Sequence, residues 1–375
     1  MLLERLAIRG FRNIPTATLT FGPGLNLIVG PNGHGKSNLL EAVGLLAMGR
    51  SFRRAAPGVM LRRDEPWFRL DGRGQGRGLP QQIVFHGEPK RLAARLNGKP
   101  AAAASAMGEA LAATVCAPDA LRLVQGGPTE RRAWLDWTAF GLQRGHAAAA
   151  RGHQQALSAR NRLLKRPGDH AQELDAWEDR LAVLGAQVTR ARAEALQALA
   201  PHLETIQTRL DLPPTRAQVA LQCQLDRAVP QWRGFEVETL AQVYRDLLAQ
   251  ARAGDQRMGA TSVGPHRDDL RIGWDGQPMA RYGSQGQQKR MALALKLAEA
   301  ALLAATLGET PLFLLDDPAA ELDGDGVARL MGWLAEQGGQ LFVAACNAEQ
   351  IPWPENRPKQ TWTVQDGAFA EQAPK

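Results

Sequence analysis

The sequence predicts an α/β fold, in which a core of alternating strands and helices lies beside an antiparallel sheet and is interrupted by an inserted helical lobe. Three observations predict it. Strand and helix patterns alternate at both ends of the chain. A glycine-rich stretch, 30-GPNGHGKS-37, separates a strand pattern from a helix pattern. Residues 128–252 are rich in Ala, Leu and Gln and carry almost no strand signal.

Taken in order, Leu6 and Ile8 alternate ahead of a turn expected at Gly10, and Leu25, Leu27 and Val29 form a second strand pattern. After the glycine-rich stretch, KSNLLEAVGLLAMG has helical spacing. From Trp67 to Pro100, WFRL, QIVFH and RLAARL read as short antiparallel strands, and Asn97-Gly98 is a hairpin signal. The stretch 72-GRGQGRG-78 reads as a flexible hairpin loop, with contact of Arg73 and Arg77 to a nucleic-acid backbone as the alternative.

In the helical part, Leu174, Trp177, Leu181, Leu184 and Val188 share one face. After a one-residue shift, Leu196, Leu199, Leu203, Ile206 and Leu210 repeat the pattern, with Pro201 marking a kink or a new helix start. Forty helical residues reach roughly 60 Å at most, so a compact lobe or short antiparallel arm is expected, not a long rod. Pro213-Pro214 is expected to end this run, with a second helical stretch near Glu238–Ala251.

Strand character returns at DLRIGW. Then 284-SQGQQKR-290 opens an apolar helix pattern, followed by the strand 311-PLFLLDD-317, a helix over about Gly326–Gln337 and the strand QLFVAAC. The polar end from Asn356 is expected to fray after one last short strand. The expected divisions are 1–125 for the N-terminal part of the core, 126–257 for the helical lobe and 258–375 for the C-terminal part of the core.

Composition narrows the class. The chain has 375 residues, 44% hydrophobic and 22% charged, as in a soluble globular protein. Its formal charge of +7 suits a polyanionic partner without choosing one. Cys116, Cys223 and Cys346 lie far apart without metal-ligand spacing and read as reduced thiols. The charged N-terminus is no secretory signal, and no uncharged apolar run reaches the ~18 residues that span a bilayer. A cytoplasmic protein is expected.

The sharpest motif is Gly30, Pro31, Asn32, Gly33, His34, Gly35, Lys36, Ser37, a full G-x-x-x-x-G-K-S phosphate loop in strand-to-helix context. Its glycines let several N–H groups converge on a phosphate chain at the positive end of a helix. Lys36 is expected to reach the β- and γ-phosphates of ATP, and Ser37 to ligate Mg²⁺. The apolar strand ending in Asp316 and Asp317 delivers carboxylates to its C-terminal edge. Asp316 is assigned to the metal shell and Asp317 to the attacking water.

Ser284 is placed to cap the second glycine-bearing helix start, formed with Gln285, Gly286 and Gln287. One nucleotide held wholly by 30–37 leaves this second start without a task. It has one if it grips the γ-phosphate of a nucleotide bound to another copy, two copies then burying two ATP molecules head to tail.

LAIRGFRNI, GPNGHGKSNLLEAV, 118-PDALRLVQGGPTERRAWLDW-137, 261-TSVGPHRDDLRI-272, GSQGQQKRMALALKLAE and LLDDPAAELD occur in one order along the whole chain. In this the sequence resembles the RecF family of bacterial recombinational-repair ATPases. These are of the ABC type and related to the heads of structural-maintenance-of-chromosomes proteins, and Asn38 fits that branch. The resemblance implies an ABC-type ATPase head in which Ser284–Lys289 is the signature motif acting in trans. It makes Glu321-Leu322-Asp323 the D-loop and brings Arg12 and Asn13 to the nucleotide. It further implies ATP-dependent binding of DNA, duplex or at single-/double-strand junctions, in an ATP-dependent homodimer. RecO and RecR act alongside, helping to replace single-strand-binding protein with RecA.

Two features depart from the wider ABC pattern. Asp317 stands where most ABC ATPases have Glu, which matches RecF and implies slow, regulatory hydrolysis. The histidine of transporter ATPases is missing near AACNAEQ, where Asn347 is a partial substitute, and Gln125 merely lies near the expected Q-loop position. His266, Asp268 and Asp269 read as a turn held by Arg267–carboxylate contacts in preference to a metal site. Arg131 and Arg132 read either as DNA contacts or as part of a half-buried helix. Two other functions compete: an ATP-binding subunit of a membrane transporter, and a non-enzymatic adaptor in which nucleotide is structural.

Overall fold

The computed structural model describes residues 1–101, 104–143, 145–166, 168, 170–212 and 217–372. The strands are β1 (Leu2–Phe11), β2 (Ile14–Thr20), β3 (Leu25–Val29), β4 (Phe68–Gly76), β5 (Leu79–Glu88), β6 (Arg91–Leu96), β7 (Lys99–Ala101) and β8 (Ala113–Cys116). After the helical region come β9 (Ala217–Gln222), β10 (Asp269–Trp274) and β11 (Gln277–Pro278), then β12 (Leu312–Asp316), β13 (Leu341–Ala345), β14 (Lys359–Gln365) and β15 (Ala368–Glu371). The chain forms two compact units. One holds residues 1–124, 202–214 and 284–375, the other 125–201 and 215–283. This division differs from the expected one in giving 202–214 to the unit of the core and 258–283 to the helical unit.

The first unit contains two sheets. In one, β8, β12, β13, β3 and β14 run parallel in that order, with β15 antiparallel at the edge. Its strands LFLLD and LFVAA are buried throughout, as parallel strands covered on both faces must be. The other sheet is antiparallel, in the order β2-β1-β4-β5-β6-β7. There β1 and β4 alternate buried and exposed positions, so one face is packed and the other meets solvent. The helix Lys36–Met48 is buried almost all round, which explains why its sequence lacks a polar stripe. Buried Gln340 ties the sheets together: its Nε2 donates to the carbonyls of Leu3 and Gly22, and its Oε1 accepts from the Leu3 N–H at 2.7 Å.

The antiparallel sheet corrects two expectations. The first turn falls at Arg12-Asn13, between paired Phe11 and Ile14, and Gly10 lies within β1. Residues 72–76 are strand and not loop, with only Arg77-Gly78 at positive φ forming the turn. Gly72, Gly74 and Gly76 face inward, where neighbours come close. A Cβ on Gly74 would lie 2.0 Å from the Leu2 carbonyl oxygen, and one on Gly72 2.5 Å from the Leu46 side chain. Spacing alone cannot separate this need for close approach from loop flexibility. The hairpin at Asn97-Gly98 is present between β6 and β7.

In the second unit, helix His146–Leu164 lies antiparallel to the part of helix Ala171–Arg209 that precedes His202. Leu163 and Leu164 pack with Leu174 and Trp177, and Gly152 packs against Leu184. The latter helix runs through Pro201 for 39 residues, so no new helix starts there. The expected stop at Pro213-Pro214 lies outside the described residues. The second helical stretch is Val237–Met258, and β9, which pairs with β10, carried no strand signal in the sequence reading.

This unit is held by buried ion pairs. Fully buried Arg160 donates to Glu178, Asp255 and the Thr261 hydroxyl. Arg192 donates to Asp136, Asp268 and the Pro265 carbonyl. The 264–269 turn is therefore held by arginines from elsewhere in the unit, while Arg267 is exposed. Arg131 grips Asp269 through two nitrogens at 2.6 and 2.9 Å, and Arg132 donates to the Asp268 carbonyl, so both serve this turn from a half-buried helix. Burial pushes the Asp268 carboxyl up to about 6 against the pull of Arg192. Burial, then the neighbouring His266 and Arg192, lowers His153 to about 4.

Candidate nucleotide-binding site

β3 ends at Val29 and hands the chain to the phosphate loop, whose first N–H, on Gly30, donates to Ala345 of the neighbouring strand at 3.4 Å. Gly33 and Gly35 have φ of +84° and +118°, conformations that L side chains rarely adopt, and Gly33 has open space around it. Gly35 caps the helix Lys36–Met48, whose first turn holds no acidic residue to neutralise its positive end. Lys36, 5% exposed, folds its ammonium onto the loop, donating to the Gly30 carbonyl at 2.6 Å, the Pro31 carbonyl at 3.0 Å and Asn32 Oδ1 at 3.3 Å. Cys346 at the end of β13 brings its sulfur within 3.7 Å of the same ammonium and donates to Asn32.

Asp316 closes β12, and the Ser37 hydroxyl donates to its Oδ1 at 2.6 Å. A hydroxyl and a carboxylate at the head of a phosphate loop form a hard-oxygen donor set of the kind Mg²⁺ takes. Asp316 Oδ2 faces the Arg53 guanidinium at 3.6 Å, so the place already attracts a cation. The residues present fit the metal. Asp317 takes a left-handed conformation (φ 54°) and donates its N–H to the Ala344 carbonyl, and its carboxylate has no partner among the described residues.

Arg12 and Asn13 arrive on the β1–β2 turn. Asn13 lies against the loop: its Oδ1 accepts from Asn38 Nδ2 at 2.9 Å and sits 2.9 Å from where a Gly35 Cβ would be. Arg12 turns its guanidinium inward, making two bonds to fully buried Glu41 and a third to the Val59 carbonyl. Ser51 also donates to Glu41, and Arg53 lies 3.6 Å from it while donating to Asn38 Oδ1. Glu41 is thus the hub that orders the segment behind the phosphate loop.

Two contributors were absent from the sequence reading. Arg53 belongs to no motif, and its only signal is a basic residue soon after the loop's helix. The other is the β14–β15 hairpin, found where one last short strand was expected; the end beyond Gln372 lies outside the described residues. Its Asp366 and Gly367 N–H groups donate to the His34 ring and carbonyl, at 3.1 and 2.9 Å. Gly367 packs so closely that a Cβ there would lie 2.3 Å from the Asn13 carbonyl oxygen. Asp366-Gly367 is a hairpin dipeptide that could have flagged it.

Ser284 caps the helix Gln285–Leu307 in a reciprocal box: its Oγ accepts from the Gln287 N–H, and its own N–H donates to Gln287 Oε1 at 2.7 Å. Ser284, Gln285 and Gly286 are exposed. One turn on, Lys289 pairs with Glu321 at 3.2 Å, joining this helix to the stretch that ends in Asp323, which caps the helix Gly324–Gln337. A largely apolar pocket, lined by Cys116, Leu121, Ala292 and Leu322 among others, lies beside this junction and reaches Asp316. Asn347 is tied locally, accepting from the Glu349 N–H.

Residues 5–75 match the model of an AAA domain. The chain is 56% identical over 375 residues, 99% of its length and 97% of the relative's, to the DNA replication and repair protein RecF of Magnetococcus marinus. The chain belongs to the RecF family. Among solved structures, this RecF-family chain is similar to the recombination mediator protein RecF with ATP in the RecFOR pathway: TM-score 0.89 and 27% identity, covering 99% of this chain and 97% of that one. An SMC head bound to the C-terminal winged-helix domain of ScpA shares the fold, with TM-score 0.57 and 17% identity over 99% of this chain and 97% of that one.

Proposed function

We propose that this chain is a recombination mediator that binds ATP with Mg²⁺, dimerises in response and holds DNA in that state. The observation that carries the reading is the 2.6 Å hydrogen bond from Ser37 to Asp316 at the head of the phosphate loop. It is supported by the RecF-family relatives, named for DNA replication and repair and for recombination mediation with ATP. Pathway membership in that RecF structure makes RecO and RecR the expected partners at gapped DNA, helping RecA to load. No described helix is long and apolar enough to cross a membrane.

In this mechanism the open N–H groups of the loop and helix start receive the polyphosphate, and Lys36 releases its loop carbonyls to reach the outer phosphates. Ser37 and Asp316 would hold Mg²⁺, which would supply neutralisation of phosphate charge when bound. Asn13, against Gly35 and Asn38, keeps the loop in register. Asp317, left free at the end of β12, orients the attacking water, and its short side chain makes hydrolysis slow.

The second helix start acts in trans. Its capping box satisfies the N–H groups of Ser284 and Gln287 and leaves those of Gln285 and Gly286, with the Ser284 hydroxyl, to face a γ-phosphate on another copy. The Lys289–Glu321 pair passes that contact to the D-loop stretch. Light scattering on the protein with a short gapped duplex, with and without ATP, tests the reading. A shift from monomer to dimer that needs ATP supports it. A monomer under both conditions removes its central step.

A further inference from the structure

The solvent face of the antiparallel sheet is lined with arginine. Register puts Arg5 directly opposite Arg73, and Arg9 directly opposite Arg69. On the next strands, Arg95 pairs with Val84 and Arg91 with Glu88 on the same face. All six arginines are exposed. Like charges directly opposite each other on neighbouring strands destabilise a sheet. This arrangement therefore weakens the sheet it sits on, which suits a surface awaiting an anion.

The acidic residues on this face do not cancel it. Asp71 is held by Arg69 at 3.0 Å, Glu88 lies 3.5 Å from His86, and Glu4 accepts from Gln75. Among the described residues, Arg5, Arg73, Arg91 and Arg95 have no ion-pair partner. Four residues along β1 and three strand steps to β6 give an array of about 13 by 14 Å, enough to meet several phosphates of one backbone.

We propose that this face, through Arg5, Arg9, Arg69, Arg73, Arg91 and Arg95, docks the sugar-phosphate backbone of duplex DNA. The proposal rests on the DNA-binding reading above and names its surface. Duplex is favoured over single strand because base stacking needs an open aromatic face. The aromatic ring here, Trp67, is half-buried, with the Arg9 guanidinium over it at 4.7 Å and the His86 ring at 5.5 Å. A flat sheet face inserts nothing into a groove, so the contact is blind to sequence.

The test measures affinity for a short mixed-sequence duplex at several salt concentrations, with ATP and Mg²⁺, for wild type, Arg5→Gln/Arg73→Gln and Arg91→Gln/Arg95→Gln. Each double variant is expected to bind about tenfold more weakly, with a slope of log affinity against log salt shallower by about 2. Nucleotide affinity should be unchanged. The thermal midpoint of Arg5→Gln/Arg73→Gln should hold or rise, because a like-charge pair is removed. Variants that match a binding-competent wild type in affinity and slope overturn the surface and leave the DNA-binding reading standing. A loss confined to a single-stranded oligonucleotide overturns the assignment to duplex. A wild type that binds no duplex removes the DNA-binding reading itself.

Discussion

The Ser37 hydroxyl donates to Asp316 Oδ1 at 2.6 Å, joining residues 279 positions apart in sequence. The phosphate loop and the β12 carboxylate thereby meet directly, and Arg53 faces the other carboxylate oxygen. Ser37→Ala should therefore weaken nucleotide binding by about tenfold in the presence of Mg²⁺ and little in its absence. Titration of a fluorescent ATP analogue with and without the metal checks this, and equal losses under both conditions would contradict it.

Asp317, at the edge of β12, has a carboxylate with no partner among the described residues. Asp317→Asn should abolish hydrolysis yet keep ATP-dependent dimerisation, because the role proposed for this carboxylate is on the attacking water and not on the phosphates. Wild-type turnover should be slow; a rate on the order of hundreds per second would contradict that assignment. Phosphate release and light scattering on the same samples separate the two properties.

In the proposed mechanism Ser284 offers its hydroxyl to a second copy, while its capping box holds the helix start of its own chain. Ser284→Arg should leave ATP binding to the monomer intact and remove the ATP-dependent dimer. Loss of both would mean that the helix start serves the fold of its own chain.

Glu41 is fully buried and accepts from Arg12 and Ser51. Glu41→Ala strands the Arg12 guanidinium, 17% exposed, without its partner. A loss of about 3 kcal/mol of stability is expected, read by chemical denaturation, because a buried cation without its carboxylate keeps its desolvation cost. Glu41→Gln should lose less, since it still accepts hydrogen bonds.

His153 is held neutral in the second unit by burial, then by His266 and Arg192, at about 4 against 6.5 for the free side chain. As pH falls below about 6.5 the unfolded chain takes up this proton first, so stability is lost from there down to about 4, by roughly 3 kcal/mol in all. Asp268, raised to about 6 from 3.8, acts with opposite sign: it favours the protonated folded state, so its contribution falls as pH rises across that interval. His153→Gln should remove the first term alone. Stability measured from pH 4 to 7 should then change less steeply at the upper end than in wild type, and an unchanged profile would contradict the assignment.

Much of the site was legible because its chemistry is local. A phosphate loop needs glycines and a lysine within eight residues, and 30–37 holds them between a strand and a helix whose patterns are plain. The burial of LFLLD and LFVAA likewise follows from unbroken apolar runs. Arg12 was different. Its place beside the loop was expected from resemblance, but its donors go to Glu41 and Val59, a choice made by a helix 29 residues away and a segment 47 away.

Where readings failed, packing partners from distant sequence had the deciding voice. Glycines at 72, 74 and 76 look like a loop until Leu46, Leu2 and Ala110, respectively, are seen to crowd them. Arg131 and Arg132 look like free cations until Asp268 and Asp269 arrive from the far end of the same unit. By itself the sequence determined the α/β class, the helical insertion and the motifs to which phosphate and metal binding are assigned, since short-range spacing and periodicity suffice for these. Only the tertiary structure decided that Ser37 meets Asp316, that Arg53 and the β14–β15 turn complete the loop's surroundings, and that the arginines of β1, β4 and β6 share one face. Each of these depends on strand register and long-range packing, which no local pattern encodes.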